Sequence, residues 1–473
     1  MNHSHSTYSK GNLENERIIG SYSYSCYITK IIEIIEIPEE KKVRYEVQYN
    51  SQTFSHLKDF YLYENKVRSI LEKYVLQKGD FCTFDQLYNH LTKNKYQQID
   101  VPSEIRIPVL FRVLNLEKIG SLLIDDQIDE IYLDSCKKNI YLDHSRYGRC
   151  ITDISLTQNE VEAFIQRVAL ENDFSLNRAN PTMKSDFFSS LFHTRVTVDI
   201  PPLIIDDIHI DIRKFHYKKL KLSDLINLQS ITSIQAIFLS LLIRNQISMS
   251  IIGPPNSGKT TLQNAIIDYI PSYLRLLSVE DVLESTESRE GNRVRFRLGY
   301  DPKESMLFSK SLEVQKILHR SPDFINLGEL STKGHFNAYL NVLSVGIPSI
   351  QTIHGRNPKS LFSRMKDIYN IPLELLKASF PHIFLELDVR WIGKMKNRSV
   401  IGLYELTDKG EVVPLYDSEI KSFFSKPCIE TNIFTLKYLI KRNQINLDTF
   451  SEDLKEITLD LCANHIFTVE EVS

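Results

Sequence analysis

The 473-residue sequence is short of several things, and each shortage narrows the reading. It has six cysteines, Cys26, Cys82, Cys136, Cys150, Cys428 and Cys462, and no two stand in C-x-x-C spacing. That argues against a zinc site, and thiols scattered in this way fit a reducing compartment. Long hydrophobic runs are missing. The longest, "AIFLSLLI" at 236–243, stops at Arg244-Asn245-Gln246, far below the roughly 20 residues that a membrane-spanning helix needs. The opening "MNHSHSTYSKGN" holds no apolar core of a secretory signal, so a soluble, cytoplasmic chain is expected. Charge of one sign is also missing. The formal net charge is −3, which gives no basic excess to neutralise phosphates, so no nucleic-acid partner is expected. Internal repeats and low-complexity tracts are absent too.

What is present is ordinary globular composition, 42% hydrophobic and 25% charged, with room for two to four domains. Residues 1–110 read as an N-terminal extension with no legible chemistry. Within it, "YITKIIEIIEIPEEKKVRYEVQY" predicts two strands about a Pro-Glu-Glu turn, and "ENKVRSILEKYVLQ" has helical spacing. Residues 111–216 read as a mixed α/β domain. "IDEIYLD" and "NIYLDH" are short strands, "TQNEVEAFIQRVALEN" is an amphipathic helix, and "RVTVDI" and "IHIDIRKF" alternate with period two. A basic, polar stretch at 217–232 reads as a linker. Thr232 and Gln235 have capping-box form, so a helix should start there. From 233 to 398, strand and helix patterns alternate, which predicts a parallel sheet flanked by helices. Residues 399–473 read as a hairpin around Asp408-Lys409-Gly410 followed by helices.

The chemistry concentrates in the 233–398 stretch. "GPPNSGKTT", Gly253 to Thr261, follows an apolar strand and opens a helix. Backbone N–H groups in such a loop point at phosphates, and the helix N-terminus adds partial positive charge. Gly253, Pro254, Pro255, Asn256, Ser257, Gly258, Lys259, Thr260 and Thr261 are therefore the candidate nucleotide-binding residues. Lys259 is suited to the β- and γ-phosphates, and the Thr260 hydroxyl to Mg²⁺. Acids follow at two strand ends. "SVEDVLE" supplies Glu280, Asp281 and Glu284, and "DFINLGEL" supplies Glu329. A carboxylate in that position can hold Mg²⁺ directly or through water, or align the attacking water. Asn326, inside the second apolar strand, reads as a satisfied core amide.

Taken in order, "GPPNSGKTT", "VEDVLE", "SPDFINLGEL" and "VGIPSIQTIHG" resemble the phosphate loop, Asp box, Walker B strand and His box of the secretion ATPase superfamily. Members of that superfamily serve type II secretion, type IV pili and the archaellum. Pro322-Asp323 and Arg364 fit the pattern as well, and "NRSVIGLYEL" with the helical tail resembles the archaeal branch. The resemblance spans about residues 115–473. It implies a RecA-like P-loop core with a parallel sheet, preceded by a smaller mixed α/β N-terminal domain. It implies a hexamer that hydrolyses ATP with Mg²⁺ at the inner face of the cell membrane, working on a polytopic platform protein and, through it, on pilin-like subunits. By the same resemblance, Glu284 would be the general base or water-aligning acid, Glu329 would act through Mg²⁺ with Thr260, and His354 would sense the γ-phosphate. Arg195 and Arg213 become candidates for charge contacts to nucleotide, with Arg293, Arg295 and Arg297 as alternatives.

The sequence departs from the family pattern at three points. Gly346-Ile347 lacks the first His-box histidine, Gly328-Glu329-Leu330-Ser331 lacks the Walker B arginine, and Leu318-His319 stands where Leu-Arg is usual. Two other readings follow from these departures and from the basic run "KKLKL" at 218–222: a weakly active or inactive structural subunit of such a machine, and a DNA-transfer ATPase.

Overall fold

The computed structural model describes residues 17–26, 28–37, 42–49, 57–93, 103–215, 219–280, 291–298, 310–371, 380–393, 395–427, 431–442, 444–447 and 450–462. The chain divides into two compact units, residues 1–217 with 394–396, and residues 218–393 with 397–473.

The first unit is built on a nine-stranded sheet. Its strands are β1 (Arg17–Cys26), β2 (Ile28–Ile37), β3 (Lys42–Tyr49), β4 (Ile128–Leu133), β5 (Asn139–His144), β6 (Gly148–Ser155), β7 (Thr182–Phe188), β8 (His193–Asp199) and β9 (His209–Phe215), in spatial order β1-β2-β3-β6-β5-β4-β9-β8-β7. β2 and β3 pair antiparallel, the Pro-Glu-Glu stretch between them falling outside the described residues, and β1 adds a strand that the sequence pattern did not suggest. β3 then lies parallel to β6 at Arg44↔Ile151, so β1–β3 extend the same sheet as the strands of residues 111–216. The two stretches also share one core. Ile32, Ile34 and Tyr45 pack in a cluster with Phe84, Phe111, Phe164, Phe187 and Phe192. The Tyr45 hydroxyl donates to Asp125 at 2.6 Å, fastening the early hairpin to the later domain with a buried hydrogen bond.

The second unit holds β10 (Ser248–Gly253), β11 (Leu276–Glu280), β12 (Arg293–Arg297), β13 (Phe324–Leu330), β14 (Ser349–His354), β15 (His382–Ile392), β16 (Met395–Leu406) and β17 (Val412–Leu415). Their order is β12-β11-β13-β14-β10-β15-β16-β17. From β12 to β15 every pairing is parallel, while β17 runs antiparallel on β16, as the expected hairpin requires. A parallel sheet must be covered on both faces, so its strands lose the alternation of half-buried strands. β10 and β11 are buried at every position. One face packs on helices Ser233–Arg244, Lys259–Ile267, Asp417–Ser425, Phe434–Lys441 and Phe450–Cys462. The other packs on Lys310–Leu318, Lys333–Val345 and Pro358–Ser363. Helix Ser233–Arg244 starts as expected, with the Gln235 N–H donating to Thr232 Oγ1 at 3.2 Å and Gln235 Oε1 accepting from the Thr232 N–H. Part of the stretch read as linker is structured here. Leu222–Asn227 is a helix, and Leu222 and Leu225 are buried in this unit's core, because two leucines three apart give even a polar segment an apolar side. Among the described residues, no helix is long and apolar enough to cross a membrane.

Candidate functional site

The strand order decides what meets at the site. β14 lies between β10 and β13, so the carboxyl ends of three neighbouring strands carry the phosphate loop, His354 and Glu329. Crevices beyond the carboxyl ends of parallel strands are where open α/β sheets bind ligands.

The loop itself is built from backbone constraints. Asn256 (φ 58°) and Gly258 (φ 87°) are left-handed, a succession that curls peptide N–H groups toward a common centre. Gly253 is required by space. A Cβ there would stand 2.6 Å from Ser257 Oγ and 2.8 Å from the Leu387 carbonyl. Ser257 closes the turn by donating to the Pro254 carbonyl at 2.9 Å. The helix then begins at Lys259, with Thr260 and Thr261 half-buried in its first turn and Pro255 exposed at the loop's crest.

Lys259 is only 6% exposed, which is unusual for a lysine. Its ammonium donates to the Pro254 carbonyl at 2.8 Å and lies 3.3 Å from His354 Nδ1. On its far side, His354 Nε2 is 3.0 Å from Glu329 Oε1. An ammonium only donates and a carboxylate only accepts, so a neutral imidazole with its proton on Nε2 satisfies both neighbours. Lys259, His354 and Glu329 thus form one chain of polar contacts across three strand ends. The structure brings the residues from Gly253 to Thr261 together with Glu329 and His354. Asn326 is a satisfied core amide, accepting from Gln263 Nε2 at 2.8 Å and from the Gly328 N–H at 2.9 Å.

Other expected residues lie elsewhere. Asp281 and Glu284 fall outside the described residues. Arg195 and Arg213 belong to the first unit and face each other across β8 and β9. Arg195 is engaged by Asp186 at 3.5 Å and stands 5.7 Å from the centre of the Phe215 ring; Arg213 is exposed. Arg293, Arg295 and Arg297 sit on β12, the edge strand, and Arg293 donates to the carbonyls of Ile267 and Ile270. Arg364 lies over the Phe336 ring at 5.7 Å.

One residue at the loop escaped the sequence reading. Arg398, at the start of β16, donates from Nε to the Asn256 carbonyl at 2.8 Å, and its side chain lies 3.6 Å from where a Cβ on Gly258 would stand. It comes to the loop from 142 positions away, and no local pattern marks it. The only signal was its place in "NRSVIGLYEL".

A left-handed loop, a buried ammonium and a hydroxyl at the helix start fit a nucleotide's phosphates. Among the described residues no group of three or more acidic, histidine or cysteine side chains could hold a metal ion. Thr260 and Glu329 fit Mg²⁺ only in the manner usual for that ion, which takes one or two protein ligands together with substrate phosphates. The unit is a P-loop nucleotide-binding fold of the RecA-like type.

The profile described as "Type II/IV secretion system protein" matches residues 148–384, half of the sequence, and the chain belongs to that family. Protein VirB11 of Rhizobium radiobacter is 38% identical over 136 residues, covering 27% of this chain and 38% of the relative. An uncharacterized protein of Methanocaldococcus jannaschii is 25% identical over 290 residues, covering 60% of this chain and 51% of the relative. The chain therefore spans well under two thirds of either relative's length. Among solved structures, the ATPase DotB of Yersinia pseudotuberculosis aligns over 76% of this chain and 92% of its own, at 14% identity and a TM-score of 0.49.

Proposed function

We propose that this chain is an ATP-hydrolysing motor subunit of a secretion or pilus-type machine. The observation that carries the reading is the Lys259–His354–Glu329 chain at three adjacent strand ends. Phosphoryl transfer asks a protein mainly for positioning and charge, and this site supplies both. Lys259 and the loop N–H groups would hold the phosphates of ATP. Thr260 and Glu329 would hold Mg²⁺, which would supply charge neutralisation to the phosphates. Phosphate oxygens would compete with His354 for the Lys259 ammonium, so His354 would register the γ-phosphate and pass its presence to Glu329. Glu284 is proposed to align the attacking water. Arg195 and Arg213, or the β12 arginines, would supply charge across a subunit boundary. Family membership supports a homo-oligomer, proposed as a hexamer, working at the inner face of a membrane on a polytopic platform protein and pilin-like subunits.

A second reading keeps the nucleotide and lowers the turnover. Ile347 and Ser331, where the family carries His and Arg, favour a nucleotide-dependent structural subunit. Turnover of purified protein with lipid, compared with Glu284→Gln and Glu329→Gln, decides between them. Wild type well above both variants is expected; wild type equal to both overturns the motor. Mass measurement with and without ATP tests the ring, and a monomer under every condition counts against it.

A further inference from the structure

β13 does not run regularly to Glu329. Its pairing with β14 holds through Asn326↔Ile350 and resumes one residue out of step at Glu329↔Thr352. An extra residue therefore sits in β13 around Leu327 and Gly328, where Gly328 has φ +59°. A Cβ there would come within 3.0 Å of Glu280 Cγ. Such a bulge re-aims the side chains beyond it, because strand side chains alternate and a one-residue slip turns each to the opposite face. Leu327 and Leu330, three apart, lie in the same core, so strict alternation is broken between them. Without the extra residue, Glu329 would share the core-facing side of Ile325 and Leu327.

A bulge takes backbone groups out of the ladder, and buried ones need other partners. Here side chains from elsewhere provide them. The Gly328 N–H donates to Asn326 Oδ1 at 2.9 Å, and that oxygen is fixed by Gln263 Nε2 at 2.8 Å. Gln263 lies on the helix that begins with Lys259. The Glu329 carbonyl accepts from Lys310 Nζ at 2.8 Å, and Lys310 is only 2% exposed. Thr352 Oγ1 approaches the Gly328 carbonyl at 3.4 Å.

We infer that Gln263, Asn326 and Lys310 form a clamp on the Gly328 bulge that aims the Glu329 carboxylate at His354 and couples that aim to the phosphate-loop helix. They are positioning residues, acting through Glu329, and the inference rests on the proposed ATPase reading. Lys310→Met should lower kcat about tenfold with KM for ATP nearly unchanged, the expected result of removing a charge-assisted hydrogen bond beside the reacting groups. Lys310→Arg, which keeps a donor, should recover part of the loss. In a Glu329→Gln background, Lys310→Met should add less than about twofold, since a residue acting through another shows no independent effect. Gln263→Leu serves as a second, separately folded variant with the same expected pattern. A loss carried by KM, or full additivity with Glu329→Gln, overturns the clamp. Amide hydrogen exchange over residues 326–331 reads the clamp without catalysis. Faster exchange there in Lys310→Met and Gln263→Leu, with β10 unchanged, supports it, and unchanged exchange overturns it. If wild type turns over no ATP, the ATPase reading falls while the exchange result still judges the clamp.

Discussion

β8 in the first unit buries every second residue and leaves the rest half-exposed, whereas β10 in the second is buried at all six positions. The difference decides where polar side chains can go. In the first sheet they stand on the open face. Tyr132 and Tyr141 stack at 4.9 Å, and Arg149 lies over both rings while pairing with Asp143. In the second, a polar group within a strand must find a partner inside the protein. Gln351 Nε2 donates to Ser250 Oγ at 2.6 Å, and Ser250 Oγ is 2.9 Å from His382 Nε2, a buried line across β14, β10 and β15. At the carboxyl ends of its central strands β10, β14 and β13 the phosphate loop, His354 and Glu329 gather. An antiparallel sheet offers polar chemistry over a face; a parallel one offers it at an edge.

The largest effect expected from this contrast is catalytic. Glu329→Gln, at a strand end, should lower ATP turnover roughly 10²–10³-fold, the scale for losing one preorganised electrostatic group, while its thermal unfolding stays near wild type. An equal loss from Tyr141→Phe on the first sheet's open face would break the contrast. Next come the cores. Phe238→Ala in the second unit and Phe187→Ala in the first, both fully buried, should each cost about 3–5 kcal/mol. Denaturant unfolding should place each loss in its own unit.

The pH response should separate the units as well. Burial pushes His382 down from 6.5 to about 3. The unfolded chain takes up that proton near pH 6.5 and the folded chain does not, so the contribution of neutral His382 is full above 6.5 and falls as pH drops toward 3. By pH 4 the difference between wild type and His382→Phe should have changed by something on the order of 3 kcal/mol. In the first unit, Lys214 donates to the carbonyls of Leu122 and Asp125, and burial pushes it down from 10.5 to about 8. Here the unfolded chain holds the proton longer, so stability should rise between pH 8 and 10.5, and Lys214→Met should flatten that rise. The smallest effect sharpens the contrast most. Ser250→Ala removes the partner of two buried groups and should cost about 1–3 kcal/mol. Thr197→Val, half-exposed on β8, should stay within about 0.5 kcal/mol. Matching losses in chemical unfolding would mean that the two sheets treat polarity alike.

Much of this architecture was legible because its signals are local. The alternation in "RVTVDI" and "IHIDIRKF", the Thr232–Gln235 capping box and the turn at Asp408-Lys409-Gly410 each depend on residues a few positions apart. The phosphate loop was legible for the same reason, since nine consecutive residues carry it. Glu329 and His354 could be named but not placed, because their meeting depends on β14 lying between β10 and β13.

Distance along the chain marks the rest. Arg398 and Asn256 are 142 positions apart, Gln263 and Asn326 are 63, and Tyr45 and Asp125 are 80. By itself the sequence determined the cradle, the elements around it and the acids that could serve it, because backbone geometry and side-chain periodicity are set by neighbours. Only the tertiary structure decided that the early hairpin joins the first sheet, that Arg398 reaches the loop, and that a bulge at Gly328 turns Glu329 from the core toward His354. Strand order and register arise from burying whole faces at once, and no short stretch of sequence contains them.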